Sequence, residues 1–185
     1  MDNAAERELK KYLDDLAKLS INIDPKDLNL LDSLSETDSK EYVKWIKNSK
    51  PETLLSDKLL KPIIKLSGVS NFPEARVGEG WVDFVLESSN VMGFPVALEL
   101  KALHNSFGIM YDLSDVLQNM KTEFTNRKSN QVIKYIVGKN GVEYVILTNL
   151  KDAYIFDKSC VINFNPIVTE KFSDLIMGIS ATGNI

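Results

Sequence analysis

The chain holds one cysteine and one histidine in 185 residues, and each scarcity removes a class of chemistry. A lone cysteine, Cys160, excludes an internal disulfide and fits a reducing compartment such as the cytoplasm. It lies in the apolar run Cys160-Val-Ile-Asn-Phe, the setting of a packing residue and not of a nucleophile. A lone His104 leaves no second His or Cys at ligand spacing, so zinc is excluded and any metal is expected on oxygen donors, as magnesium is. Long hydrophobic runs are missing too: apolar residues come in short bursts, none long enough for a membrane-spanning helix. The opening Met-Asp-Asn-Ala-Ala-Glu-Arg-Glu has no basic region followed by an apolar stretch, so a secretory leader is not supported. The expectation is a cytoplasmic protein with no membrane partner.

What is present suits one globular domain with an appreciable core, since 44% of the residues are hydrophobic. A net charge of −4 speaks against gripping nucleic acid over the whole surface. The charge is uneven, however. Residues 118–141 carry Lys121, Arg127, Lys128, Lys134 and Lys139 against Glu123 alone, whereas the first 57 residues carry nine basic and thirteen acidic groups. The basic segment suits a phosphate-facing side, with Lys128 and Lys134 as substrate contacts, and it equally suits a solvated helix face.

Periodicity predicts the elements. Leu9, Tyr12, Leu13, Leu16 and Leu19 give an amphipathic helix over residues 4–19; 22–39 is polar and reads as loop; 40–48 suits a short helix. Pro51 and Glu52 open a stronger helix with the stripe Leu55, Leu59, Ile63 and Leu66, interrupted by Pro62 and stopped at Ser67-Gly68. Strands are predicted at 72–77, after a turn at 78–80, and in the apolar hairpin Gly80 to Lys101. Residues 105–108 read as a flexible exit from it. Residues 110–125 read as helix, and Ser129 as the cap of another through Val137. Short strands follow at 143–148, 153–156 and 161–164, then a helix at 169–179. Helix, three strands, helix and one or two more strands make an α/β layer fold, a mixed central sheet flanked by helices.

The hairpin carries the chemistry. In Gly80-Trp-Val-Asp83-Phe-Val-Leu-Glu and Phe94-Pro-Val-Ala-Leu-Glu99-Leu-Lys101, three charges stand among apolar neighbours, where unpaired charge is costly. Glu99 and Lys101 share one strand face. Asp83 and Glu99 are equidistant from Val91, so a turn centred there pairs the two carboxylates across antiparallel strands. Two acids can share a divalent cation, with the carbonyl of Leu100 as a third oxygen, and a lysine beside them can orient or deprotonate water. A plain Glu-x-Lys ion pair is the alternative. Glu52 can join this corner if its helix packs across the sheet. Gln131 and Tyr135, four apart, share a helix face, either toward this corner or as core support. His104 reads as a solvated loop residue that could touch substrate.

Together these residues resemble the PD-(D/E)xK nucleases, with Asp83 on one strand and Glu99-x-Lys101 on the next. More narrowly, the chain resembles the N-terminal nuclease domain of type I restriction subunits and of single-chain type IIG restriction-modification enzymes. Pro51-Glu52 to Pro62 resembles the family's opening helix, and Glu74-Ala-Arg76-Val-Gly-Glu-Gly80-Trp-Val-Asp83 the run into its metal-binding aspartate. Gln131-Val-Ile-Lys-Tyr135 fits its Gln-x-x-x-Tyr element, and Tyr144-Val-Ile-Leu147-Thr148-Asn149 with Tyr154-Ile-Phe156 its later strand pair. The match covers roughly residues 50–157. Val82 stands where the family name has proline, and Ala153-Tyr154 where tryptophan is frequent.

The resemblance implies a Mg²⁺-dependent DNA endonuclease domain, with Mn²⁺ a possible substitute. Asp83, Glu99 and Leu100 would hold the metal. Lys101, Glu52 and Gln131 would complete the catalytic set, with Tyr135 at the substrate. It implies residues 1–49 as a helical extension and 50–185 as the nuclease domain, acting on double-stranded DNA, with transient dimerisation there. No methyltransferase, nucleotide-loop, zinc-finger or helix-turn-helix motif is found. Methylation and target recognition are therefore expected from other domains, in the same or a partner chain. The competing readings are a nuclease-fold assembly module that does not cut, and a repair or recombination nuclease of the same fold.

Overall fold

The computed structural model describes residues 51–61, 64, 70–87, 95–102, 112–125, 130–172 and 175. The elements expected before residue 50, the stop at 67–68 and the exit at 105–108 lie outside these, as do Pro62, His104, Arg127 and Lys128. The chain divides into two compact units, Met1–Ser67 with Ala102–Tyr111, and Gly68–Lys101 with Asp112–Ile185.

In the first unit, helix α1 (Pro51–Leu55) runs into a π-helical turn at Ser56–Leu60, where the N–H of Lys61 reaches back five residues to the carbonyl of Ser56. Proline opens the helix where no N–H is called for, and Glu52 sits at the positive end of the dipole. The wide turn takes in one extra residue, and Leu55, Leu60 and Ile64 are buried; the side chains of Leu59 and Ile63, expected in the stripe, lie outside those described. Asp57 and Lys61, one turn apart, form an exposed ion pair.

The second unit contains strands β1 (Ser70–Val77), β2 (Gly80–Glu87) and β3 (Val96–Leu100), then helix α2 (Leu113–Thr122) and a 3-10 turn, Glu123–Thr125. Helix α3 (Gln131–Ile136) and strands β4 (Tyr144–Thr148), β5 (Asp152–Phe156) and β6 (Val168–Lys171) follow, with a 3-10 turn at Lys158–Val161 before the last. The six strands form one mixed sheet in chain order, antiparallel throughout except for the parallel pair β3–β4. Parallel neighbours require a crossover, and α2 and α3 lie in it. The α/β class with a mixed sheet is as expected, with three late strands in place of one or two.

One row of register partners, Val85, Ala97, Val145 and Phe156, crosses four strands and belongs to a single core cluster with Val116 and Met120 of α2 and Val132 and Ile133 of α3. α2 buries Leu113, Val116 and Met120 at spacings of three and four, the stripe a helix lays on a sheet. Asp112 caps it, accepting the N–H of Ser114 at 2.8 Å, and hydrogen bonding from the Ser114 side chain, then from this N–H, lowers its carboxyl from the ordinary value. The cap of α3 is Asn130, not Ser129. Its Oδ1 accepts from the N–H of Ile133 at 3.1 Å while its Nδ2 donates to the Met120 carbonyl at 3.0 Å. The buried asparagine, with a donor and an acceptor on one amide, ties the last turn of α2 to the first of α3.

Two late assignments are corrected. The strand expected at 161–164 does not form; Lys158–Val161 is a 3-10 turn, capped by Asp157, which accepts the N–H of Ser159. Cys160 and Phe164 are buried there, and Phe164 stacks on Phe156 with centroids 5.1 Å apart. The helix expected from Thr169 begins instead as β6, whose Val168 and Thr169 pair with Ile155 and Tyr154. Two β-branched residues beside an open strand edge favour the sheet.

Gly78 has φ +53, and a Cβ there would lie 2.2 Å from the carbonyl oxygen of Lys134. Gly78→Ala is expected to cost about 2 kcal/mol, lowering the thermal midpoint by roughly 4–8 °C, read by circular dichroism. An unchanged midpoint would contradict the close packing of this turn. Cys160 is fully buried, and burial pushes its thiol up to about 12. Iodoacetamide is therefore expected to alkylate it only in denaturant, with mass spectrometry as the readout.

Candidate active site

The register that pairs Phe84 with Leu98 and Val85 with Ala97 continues to Asp83 and Glu99, so the two carboxylate-bearing positions stand opposite one another on adjacent strands. The backbone ladder stops one step short of them, where Asp83 uses its side chain in its place. Its Oδ2 accepts the N–H of Leu100 at 2.7 Å. On the other flank of β2, Glu74 lies opposite Asp83 in the β1 register without pairing to it, and has φ +49. Val82 and Val85, which strict alternation would send to opposite faces, both join the one core cluster. Regular strand geometry is interrupted at Asp83.

Glu99 is 6% exposed, and each of its oxygens meets a donor. Lys101 Nζ donates to Oε1 at 2.7 Å, and the Tyr135 hydroxyl lies 2.7 Å from Oε2. Lys101 Nζ also donates to Gln131 Oε1 at 2.8 Å. The ammonium is thereby aimed by two acceptors on two elements, and its own N–H is fixed to the Thr148 carbonyl of β4 at 2.7 Å. Gln131 and Tyr135, four apart on α3, reach the same group of side chains, Gln131 through the lysine and Tyr135 through the carboxylate.

Tyr135 also lies 2.8 Å from the carbonyl of Trp81. One hydroxyl proton serves either that carbonyl or Glu99, and the anionic acceptor is the stronger. Burial, then the charge of Glu99 and its hydrogen bond, raise the phenol well above its ordinary 10.0. The ring is only 1% exposed and packs on the backbone of β2 at Gly80, where a Cβ would come within 2.8 Å of Cε1. Glycine at 80 is what lets the ring lie there.

The other expected residues are placed as follows. Lys134 is half-buried, and its carbonyl accepts the N–H of Glu79 at 2.8 Å. Glu52 belongs to the first unit, where its exposed carboxylate accepts the N–H of Ala102 at 3.2 Å. Among the described residues, no three Asp, Glu, His or Cys side chains form a metal-sized cluster. Any cation here would therefore rest on two carboxylates, main-chain oxygen and water. The carbonyls of Trp81 and Thr148 escaped sequence reasoning, since main-chain groups carry no residue signature.

Tyr135→Phe removes a donor from a buried carboxylate and should cost about 1–3 kcal/mol in urea denaturation at pH 7. It should also flatten the alkaline limb of the stability curve. Below pH 10 the phenol is protonated in both states and its contribution is whole. Above pH 10 the unfolded chain releases the proton that the folded one retains, so stability falls as pH rises. The wild-type slope there should exceed that of the variant by up to about one proton; parallel curves would place Tyr135 in water.

Comparison of the chain with protein-family models, with curated proteins and with solved structures yields no match.

Proposed function

We propose that this chain is a divalent-metal-dependent DNA endonuclease domain of the PD-(D/E)xK type, belonging to a restriction system. The observation that carries the reading is the opposition of Asp83 and Glu99 on adjacent strands, with Lys101 held between Glu99 and Gln131. The donor set fits magnesium. A carboxylate offers about four lone-pair sites, and the two hydrogen bonds on Glu99 leave acceptor capacity on each oxygen. Hard oxygen donors with several retained waters are what Mg²⁺ prefers, and Mn²⁺ accepts the same set. Bound there, the ion would acidify a water and offset charge on the phosphate oxygens.

The residues of the chain supply the remaining steps. Asp83 and Glu99 would hold the cation, with the main chain of Leu100 beside them. Lys101, its ammonium directed by Glu99 and Gln131, would orient the attacking water and offset charge on the phosphate. Tyr135 fixes the second oxygen of Glu99, which keeps the carboxylate from turning. The half-buried Lys134 can meet the phosphate backbone. One such site cuts one strand per engagement, so two copies meeting on duplex DNA are part of the proposal. Methylation and target recognition would come from other domains.

Plasmid cleavage in Mg²⁺ tests the reading. Lys101→Ala should lose about 10²–10⁴-fold in rate. Asp83→Ala should lose cleavage altogether, together with the Mg²⁺ or Mn²⁺ binding heat measured by calorimetry, while its circular dichroism spectrum stays native. Full cutting by either variant would end the assignment. Absence of cutting by the wild-type chain, combined with no Asp83-dependent binding heat, would favour an assembly module.

A further inference from the structure

Glu99 takes its two hydrogen bonds from donors that each have a second acceptor within reach. Lys101 Nζ lies 2.7 Å from Glu99 Oε1 and 2.8 Å from Gln131 Oε1. The Tyr135 hydroxyl lies 2.7 Å from Glu99 Oε2 and 2.8 Å from the Trp81 carbonyl oxygen. The two cases differ in the number of protons. An ammonium has three and serves both its acceptors at once, whereas a phenol has one and must choose. The groups around that choice are held in place. Trp81 is paired to Arg76 of β1, and Glu99 to Leu147 of β4. The main chain of Tyr135 is tied down where its carbonyl accepts the N–H of Val142 at 3.0 Å. Its ring is buried and packed on Gly80. Rotation of the proton about the phenolic C–O bond is the freedom this leaves.

We infer that the Tyr135 hydroxyl is a two-position donor, turned to Glu99 while that carboxylate is free of metal and to the Trp81 carbonyl once it holds a divalent cation. The inference rests on the metal site of the nuclease reading and says how that site is filled. Without the ion, Glu99 is the better acceptor because it is charged, and charge-assisted bonds are roughly twice as strong as neutral ones. A divalent ion on the carboxylate offsets that charge, whichever oxygen it meets, and repels the hydroxyl proton. The advantage of Glu99 is then gone, and a main-chain carbonyl stands at nearly the same distance. Were that carbonyl absent, the proton would be left buried without a partner, and an unmet buried donor would count against metal binding. With it, loading of the site exchanges one hydrogen bond for another. No covalent bond breaks, since the proton stays on the phenol oxygen and turns. Tyr135 is thus a positioning residue, which aligns Glu99 for the ion and then yields to it. Its burial keeps it from the substrate.

Tyrosine labelled with carbon-13 at Cζ reports the choice by magnetic resonance. That carbon moves downfield as the phenol donates more strongly, and farther downfield if it ionises. Tyr135→Phe identifies the signal among the six tyrosines of the chain. Titration of the whole chain with Mg²⁺, without DNA, should move the signal upfield and saturate together with the binding heat measured by calorimetry. In Asp83→Ala the signal should hold its metal-free position through the same titration. Glu99→Gln tests the choice with no metal at all. An uncharged amide is a poor rival for the proton, so the Tyr135 signal should stand upfield before any Mg²⁺ is added. Thermal melts show that each variant is folded, and the wild-type titration decides alone if Glu99→Gln is not. Asp83-dependent binding heat, with the Tyr135 signal unmoved or moved downfield, overturns the inference and leaves the metal site of the nuclease standing. A folded Glu99→Gln whose signal keeps the wild-type position overturns it as well. Absence of Asp83-dependent heat overturns both proposals.

Discussion

Glu99 carries a charge into the sheet, where water cannot solvate it, and the surrounding structure reads as the set of arrangements that make this tolerable. A buried ion costs several kcal/mol unless its lone pairs are met. Here an ammonium meets one oxygen and a phenol the other. Each donor must itself be held. Lys101 is held by Gln131 and by the main chain of β4, and Tyr135 by its seat against Gly80. Both helical residues depend on where α3 starts, which Asn130 decides by capping it while gripping the end of α2. A chain of placements thus runs from a buried asparagine to the carboxylate. The glycines at 78 and 80 are its clearances, because a side chain at either would push α3 off β2.

The parts of this arrangement legible in the sequence are those governed by a fixed period. The side-chain repeat in a strand is two, so equidistance from Val91 sets Asp83 against Glu99, and the pairs observed beside them, beginning with Phe84 and Leu98, share that centre. The helical repeat puts Gln131 and Tyr135 on one face by the same arithmetic. Whether that face met the corner or the core was open, and it meets both: Tyr135 is 1% exposed and still reaches Glu99.

What escaped the sequence was decided by tertiary partners. Ser129 and Asn130 are both good caps by residue type, and it is Asn130 that also bonds the Met120 carbonyl. The π turn after α1 was not foreseen because it has no periodic signature of its own. β6 was misread because helical spacing in residues 169–179 gave no hint of an unpaired strand edge at β5. The interruption at Asp83 belongs with these. Glu74 in a left-handed conformation, and a carboxylate taking the Leu100 amide, are local departures that no pattern of apolar residues encodes. On the proposed reading they occur where the strand stops acting as framework and offers its carboxylate to a cation.

An acidic chain and a DNA substrate conflict only if charge is averaged over the molecule. At physiological salt, fields between exposed groups fade over about 8 Å, so a strand near β2 responds to its immediate neighbours and not to acids elsewhere in the chain. On the proposed reading the half-buried Lys134 is the cation offered to the phosphate backbone, and the grip is correspondingly short. A short grip fits a domain that cuts without choosing where. Strong sequence-blind binding would hold the nuclease on random DNA. The same helix that aims Lys101 through Gln131 also fixes Glu99 through Tyr135 and holds the β1–β2 turn through the Lys134 carbonyl. Displacing that helix would disturb Lys101 and Glu99 together, so α3 couples the two halves of the proposed site.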